Sequence, residues 1–186
     1  MEIRFRSLKE DDLSLLHSWF QEPTIKEWYA RGIHFSLDDI KNKYLPRIQG
    51  KDNTPSYIVS LDNKPIGFIQ YYALSDHLPS GITDQNNKLL EKGMPDKICG
   101  IDVFIADSKY RGVGLGKQII NQFIQEFLLS KFDWAVVDPS ANNINAIRCY
   151  EKNGFKITEY SETNDHIIML RNLIMKTSGS GAGPNE

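Results

Sequence analysis

The chain has 186 residues, of which 40% are hydrophobic, 25% charged and 11% aromatic, the make-up of an ordinary soluble globular protein. A formal net charge of −2 excludes a general nucleic-acid binder, which carries a basic excess. No apolar run approaches the roughly 20 residues that span a bilayer, and His17, His34, His77 and His166 lack ligand spacing, so no metal site is expected.

The opening "MEIRFRSLKEDD" has no apolar core of a secretory signal, and its "EIRFRSL" alternates as a first strand. In "DDLSLLHSWF", Leu13, Leu16 and Phe20 fall at helical spacing. A further helix is expected in "SLDDIKNKYLPRIQG", where Ser36 and Asp39 make a relative of the capping box. "PSYIVSLDNKPIGFIQYYAL" reads as a hairpin turning at Asp62, Asn63 and Lys64. Residues 75–97 are polar and punctuated by glycine and proline, which suits a binding loop or a disordered one.

"ICGIDVFIA" is the next strand, followed by a helix over 115–130 whose stripe is Leu115, Ile119, Phe123, Ile124, Phe127 and Leu128. "FDWAVVDP" is a strand stopped by Pro139, and "NNINAIRCYEKNGF" a short helix ended by Gly154. "FKITEY" and "HIIMLRN" read as a closing strand pair. This order predicts an α/β or α+β mixed sheet. Residues 1–173 form the expected single domain, and 174–186 a disordered or appended tail. Cys99 and Cys149 read as buried free thiols of a reducing compartment, so the expected location is cytoplasmic.

The stretch "YRGVGLGKQII" joins a strand to a helix and suits an anion. A Walker A loop needs glycine five residues before Gly116, where Arg111 stands, and Ser or Thr after Lys117, where Gln118 stands. The dinucleotide fingerprint G-x-G-x-x-G is also absent, because Gly112, Gly114 and Gly116 are evenly spaced. A plain glycine-capped turn is the remaining alternative.

The loop's Arg111, Gly114 and Gly116, with Asn143, Ala146, Tyr150, Gly154 and Phe155 downstream, resemble the GNAT superfamily of acyl-CoA-dependent N-acetyltransferases. "CGIDVFIA", "DPSANNINAIRCYEKNGF", "KPIGFIQYY" and "IKEWY" are similar, more narrowly, to the aminoglycoside 6′-N-acetyltransferases, the resistance enzymes of that superfamily. The resemblance implies a GNAT fold, with a mostly antiparallel sheet, one splayed strand pair and flanking helices. It also implies acetyl-CoA as co-substrate, no metal, a small-molecule amine (an aminoglycoside) as acceptor, and a monomer or homodimer without nucleic-acid or membrane partners. Another small amine, such as a polyamine, siderophore precursor or peptide amine, and a non-catalytic CoA-binding sensor are the alternatives.

Asp102 interrupts an apolar run, where a carboxylate is costly unless paired or used. The alternatives are a capping or ion-pairing role and, by resemblance, the active-site carboxylate that binds the acceptor's ammonium and accepts its proton. Alternation puts Asp102, Phe104 and Ala106 on one strand face and Ile101, Val103 and Ile105 on the other. By resemblance, Phe104 and Ile105 meet the pantetheine arm, and an N–H near Ile105 stabilises the oxyanion. Arg111, Gly112, Val113, Gly114, Leu115, Gly116 and Lys117 would hold the pyrophosphate, although Lys117 suits solvent equally. Asn143 would bond the pantetheine, cap its helix, or both. Tyr150 is either a core aromatic or, by resemblance, the cofactor-contacting acid that protonates the leaving thiolate. Asp138 makes an Asx turn or, by resemblance, contacts the aminoglycoside, and Trp28 packs a helix or walls the acceptor site. Residues 75–97 mix Asp76, Asp84, Glu91 and Asp96 with Lys88, Lys92, Lys97 and His77, a departure from the acidic loop that a polycation would favour.

Overall fold

The computed structural model describes residues 1–84, 87–91 and 94–174. The tail expected from 174 onward therefore lies outside the described residues except for Ile174, as does Lys92. Among the described residues, seven strands form one sheet: β1 (Ile3–Ser7), β2 (Ser56–Leu61), β3 (Lys64–Ala73), β4 (Ile98–Ile105), β5 (Trp134–Val137), β6 (Lys156–Ile157) and β7 (Met169–Asn172), in the order β1-β2-β3-β4-β5-β7-β6. All neighbours run antiparallel except β4 and β5.

The helices are α1 (Leu13–Phe20), α2 (Pro23–Trp28), α3 (Leu37–Ile48), α4 (Leu115–Phe123) and α5 (Ile144–Glu151). Ser36 and Asp39 form a full capping box at α3, with Ser36 Oγ accepting from the Asp39 N–H at 3.1 Å. The β2–β3 hairpin turns on Asp62 and Asn63, both with positive φ (48° and 68°), the geometry that matches the twist of a two-residue hairpin.

Two elements differ from expectation. The helix over 115–130 stays α-helical only to Phe123 and then widens into a π turn over Ile124–Leu128. The aromatic stack of Phe123 and Phe127 beneath Phe5 and Tyr57 sits at that change of pitch. The closing strands are shorter than predicted, because the polar residues between them bond locally, as Ser161 Oγ does to the Thr163 and His166 carbonyls.

Alternation along β4 sorts the core as predicted. Ile101 is buried, and Val103 and Ile105 pack, with α4 and α5 on one face. Phe104 and Ala106 pack with α1, α2 and α3 on the other. The segment 75–97 buries Ile82 and Leu89 against Tyr72, Val136 and Ile168, and Glu162 ties down the Thr83 and Asp84 N–H groups at 2.8 Å each. Its described residues are thus a packed segment that ends in a 3-10 turn over Pro95–Lys97.

Candidate active site

β4 and β5 pair only through Ile98, Cys99 and Gly100, whereas β3 follows β4 out to Ile105. Beyond Gly100 the two strands part, leaving the splay that the resemblance implied. Asp102 lies on β4 past the parting point, and Asp138 directly follows β5.

A cleft of about 180 Å³ opens on this notch, and Asp102, Asp138, Gln70, Tyr72, Lys43 and Arg47 are among its lining residues. The β3–β4 register sets Gln70 opposite Asp102. Gln70 Nε2 donates to Asp102 Oδ2 at 2.6 Å, and Arg47 Nη1 donates to Gln70 Oε1 at 2.6 Å. Arg47 Nε in turn donates to Asp52 at 3.1 Å. Only one orientation of the Gln70 amide satisfies both ends, so Arg47 on α3 fixes how the amide meets the carboxylate. Gly100 makes room for the neighbouring Tyr72, whose ring lies 2.2 Å from where a Cβ would sit.

The cleft's electrostatics follow from burial. The Asp102 carboxylate is crowded by protein, and desolvation, then the Asp138 charge, lift it from 3.8 to about 6, against the pull of Gln70, Lys43 and Arg47. Burial also raises Asp138, against the Ser80 N–H, which donates to it at 2.6 Å, and Arg31, 3.7 Å away. A carboxylate held near 6 can exchange a proton with an amine at neutral pH.

The glycine loop divides into two functions. Gly112 and Gly114 have φ of 76° and 86°, with open space where a side chain would project. Gly114 starts α4 without any side-chain cap, leaving the helix's first N–H groups for an outside acceptor. Gly116 has no positive φ. A Cβ there would sit 3.2 Å from Cys149 Sγ, so this glycine lets α5 approach α4. Val113 and Lys117 are exposed beside the loop.

Several expected cofactor contacts are committed elsewhere. The Arg111 guanidinium donates to the Ile105 and Ala106 carbonyls at 2.7 Å each and pairs with Glu22 at 3.0 Å, bracing the end of β4. The Phe104 side chain is buried among Trp19, Phe20, Tyr29 and Phe68, and Leu115 is a core residue, which leaves each of them its main chain for a ligand. Asn143 caps α5, its Oδ1 accepting the Ala146 N–H at 3.1 Å. Tyr150 is buried against Phe155, and burial raises its phenol well above the ordinary range, keeping it protonated. Trp28 ends α2 half-buried and is not among the residues lining the cleft, while Tyr29 packs onto Phe104 at 4.7 Å. Among the described residues, no group of His, Cys, Asp and Glu could hold a metal. Both cysteines are free, Cys99 buried and Cys149 half-buried.

A mixed sheet parted at its parallel pair, with a carboxylate on one side and a glycine-started helix beyond, defines the acyl-CoA acetyltransferase class. The family model for the acetyltransferase (GNAT) domain matches residues 9–163, and the chain belongs to this family. An aminoglycoside N(6′)-acetyltransferase type 1 of Klebsiella pneumoniae is 31% identical over 157 residues, covering 83% of this chain and 74% of that protein. A spermine/spermidine N(1)-acetyltransferase of Bacillus subtilis is 34% identical over only 74 residues, 39% of this chain and 49% of that protein. Among solved structures, AAC(6′)-Ib in complex with ribostamycin and coenzyme A superposes with a TM-score of 0.77 at 25% identity, covering 97% of this chain and 99% of that one.

Proposed function

We propose that residues 1–173 act as one catalytic domain that transfers acetyl from acetyl-CoA to the 6′-amine of an aminoglycoside, conferring resistance. The observation that carries this reading is Asp102, a cleft-lining carboxylate on β4 just past the point where β4 and β5 part, held by Gln70 at 2.6 Å. It lies three residues before Ile105, whose carbonyl Arg111 braces at the end of β4.

Acetyl-CoA supplies the activated acetyl group, held at its pyrophosphate by the open N–H groups from Gly112 to Lys117. Arg111 serves this loop through its main chain and its bracing contacts. Asp102 binds the acceptor ammonium and takes its proton, freeing the nitrogen lone pair. The new C–N bond replaces the C–S bond, and main-chain N–H groups near Ile105 stabilise the charge on the carbonyl oxygen. Tyr150 is the proton donor to the departing thiolate, and burial, which raises its phenol, weakens it as an acid for this transfer. Asp138 orients the antibiotic. A cytoplasmic location suits both the free thiols and the co-substrate, and a monomer or homodimer satisfies the proposed chemistry. The relation to the Klebsiella enzyme over most of the chain favours the aminoglycoside over a polyamine.

Thiol release from acetyl-CoA with kanamycin or tobramycin, against a spermidine panel, tests this reading. Turnover with the antibiotics is expected; turnover confined to polyamines would refute the acceptor.

A further inference from the structure

Three cations, Arg31, Lys43 and Arg47, line the Asp102 cleft, against the two carboxylates Asp102 and Asp138. Two of the cations have fixed partners. Arg31 faces Asp138 and Ser80, and Arg47 is bonded to Asp52 and Gln70. Lys43 differs: among the described residues it forms no ion pair, and its ammonium lies over the Phe35 and Tyr44 rings, 5.3 and 5.6 Å from their centroids. Burial, then Arg47, hold Lys43 below the ordinary lysine range, with Asp102 opposing and Arg31 adding to the depression. All three cations and Asp102 therefore sense one another across one small space.

The size of that space decides what meets this field. A cavity of about 150 Å³ holds one benzene ring, and the cleft is about 180 Å³. A reacting amine set on Asp102 therefore brings the ring that bears it into the space that Lys43 also lines. Once the amine occupies Asp102, and with Asp138 shared by Arg31 and Ser80, a second ammonium on that ring meets the unpaired charge of Lys43. A hydroxyl at the same place meets no such repulsion.

We propose that Lys43 is a specificity-determining residue that selects acceptors whose reacting ring carries a hydroxyl rather than a second ammonium. The proposal rests on the acceptor reading above and narrows it. Within the aminoglycosides it favours kanamycin A over kanamycin B, which differ only by hydroxyl or amine at the 2′ position of the ring bearing the 6′-amine. Like charges facing one another across a partly open cleft shift binding by roughly tenfold, less at high salt.

The test is calorimetric binding of the two kanamycins to the CoA-loaded protein, alongside thiol release with acetyl-CoA. Kanamycin A is expected to bind roughly tenfold tighter than kanamycin B. The preference should survive in Lys43→Arg, fall to about twofold or less in Lys43→Gln, and shrink with added salt. Equal or reversed affinities in the unmodified protein, or an unchanged ratio in Lys43→Gln, would overturn the proposal. Binding preference without turnover of either antibiotic would overturn the acetyl-transfer reading and uphold this one. Turnover of both with equal binding would do the reverse, and failure of both to bind would overturn the two together.

Discussion

Replacing Asp102 with asparagine should damage catalysis and strengthen the fold at the same time. The side chain keeps its shape, and its Oδ1 still accepts from Gln70 Nε2, which lies 2.6 Å from the carboxylate. What is lost is the charge. Lifting the carboxyl from 3.8 to about 6 corresponds to roughly 3 kcal/mol against the ionised form in the folded protein. The cleft is partly open to solvent, which leaves a gain of about 2 kcal/mol for Asp102→Asn at pH 7.5. For a chain of this size that is a rise of roughly 4–8 °C in Tm. The sign follows from linkage: the folded state holds the proton more tightly than the unfolded chain. The penalty is therefore absent below pH about 4, builds between about 4 and about 6, and stays constant above. Thermal unfolding at pH 4 and pH 7.5 reads this directly: the variant should match the parent at pH 4 and exceed it at pH 7.5. Turnover should fall by about 10²-fold or more, the scale of a general base, with acetyl-CoA binding nearly intact. Equal Tm values at pH 7.5 would refute the net cost of the buried carboxylate, and unchanged turnover would remove Asp102 from the chemistry.

Other predictions follow from the same geometry. With an aminoglycoside acceptor, kcat/KM should drop as pH falls below about 6, because Asp102 becomes protonated there; a flat profile between pH 5 and 8 would contradict the assignment. Gln70→Leu should lower kcat by roughly tenfold while leaving the KM for acetyl-CoA in place, since it releases the carboxylate from its 2.6 Å hydrogen bond. Gly114→Val, at φ 86°, should weaken CoA binding measured by calorimetry. Gly116→Val should instead act on packing, lowering stability by about 1–3 kcal/mol through its 3.2 Å approach to Cys149; a loss of CoA affinity without loss of Tm would reverse the two roles.

Asp102 could be picked out in the sequence because a lone carboxylate in "GIDVFIA" breaks a local rule, and such breaks gather at working sites. The glycine loop announced itself by spacing, yet spacing hid that Gly116 serves helix packing while Gly112 and Gly114 take positive φ. Gln70 is a polar intrusion within "GFIQYY", the same kind of signal as Asp102 in β4. Its tie to Asp102 exists only through strand register. Lys43 and Arg47, four residues apart on α3, have the pattern of solvated surface charges. Nothing in one sequence says that this helix turns them toward a cleft built by β3, β4 and the 75–97 segment. Trp28 and Tyr29 are adjacent in "EWY", and only packing decides that Tyr29 meets Phe104.

The most direct test of acetyl transfer to an aminoglycoside is identification of the product. After incubation with acetyl-CoA and kanamycin A, mass spectrometry and NMR should show one added acetyl group, on the 6′ nitrogen, appearing with equimolar free CoA. Kanamycin recovered unchanged, or acetylated at another amine, would contradict the account.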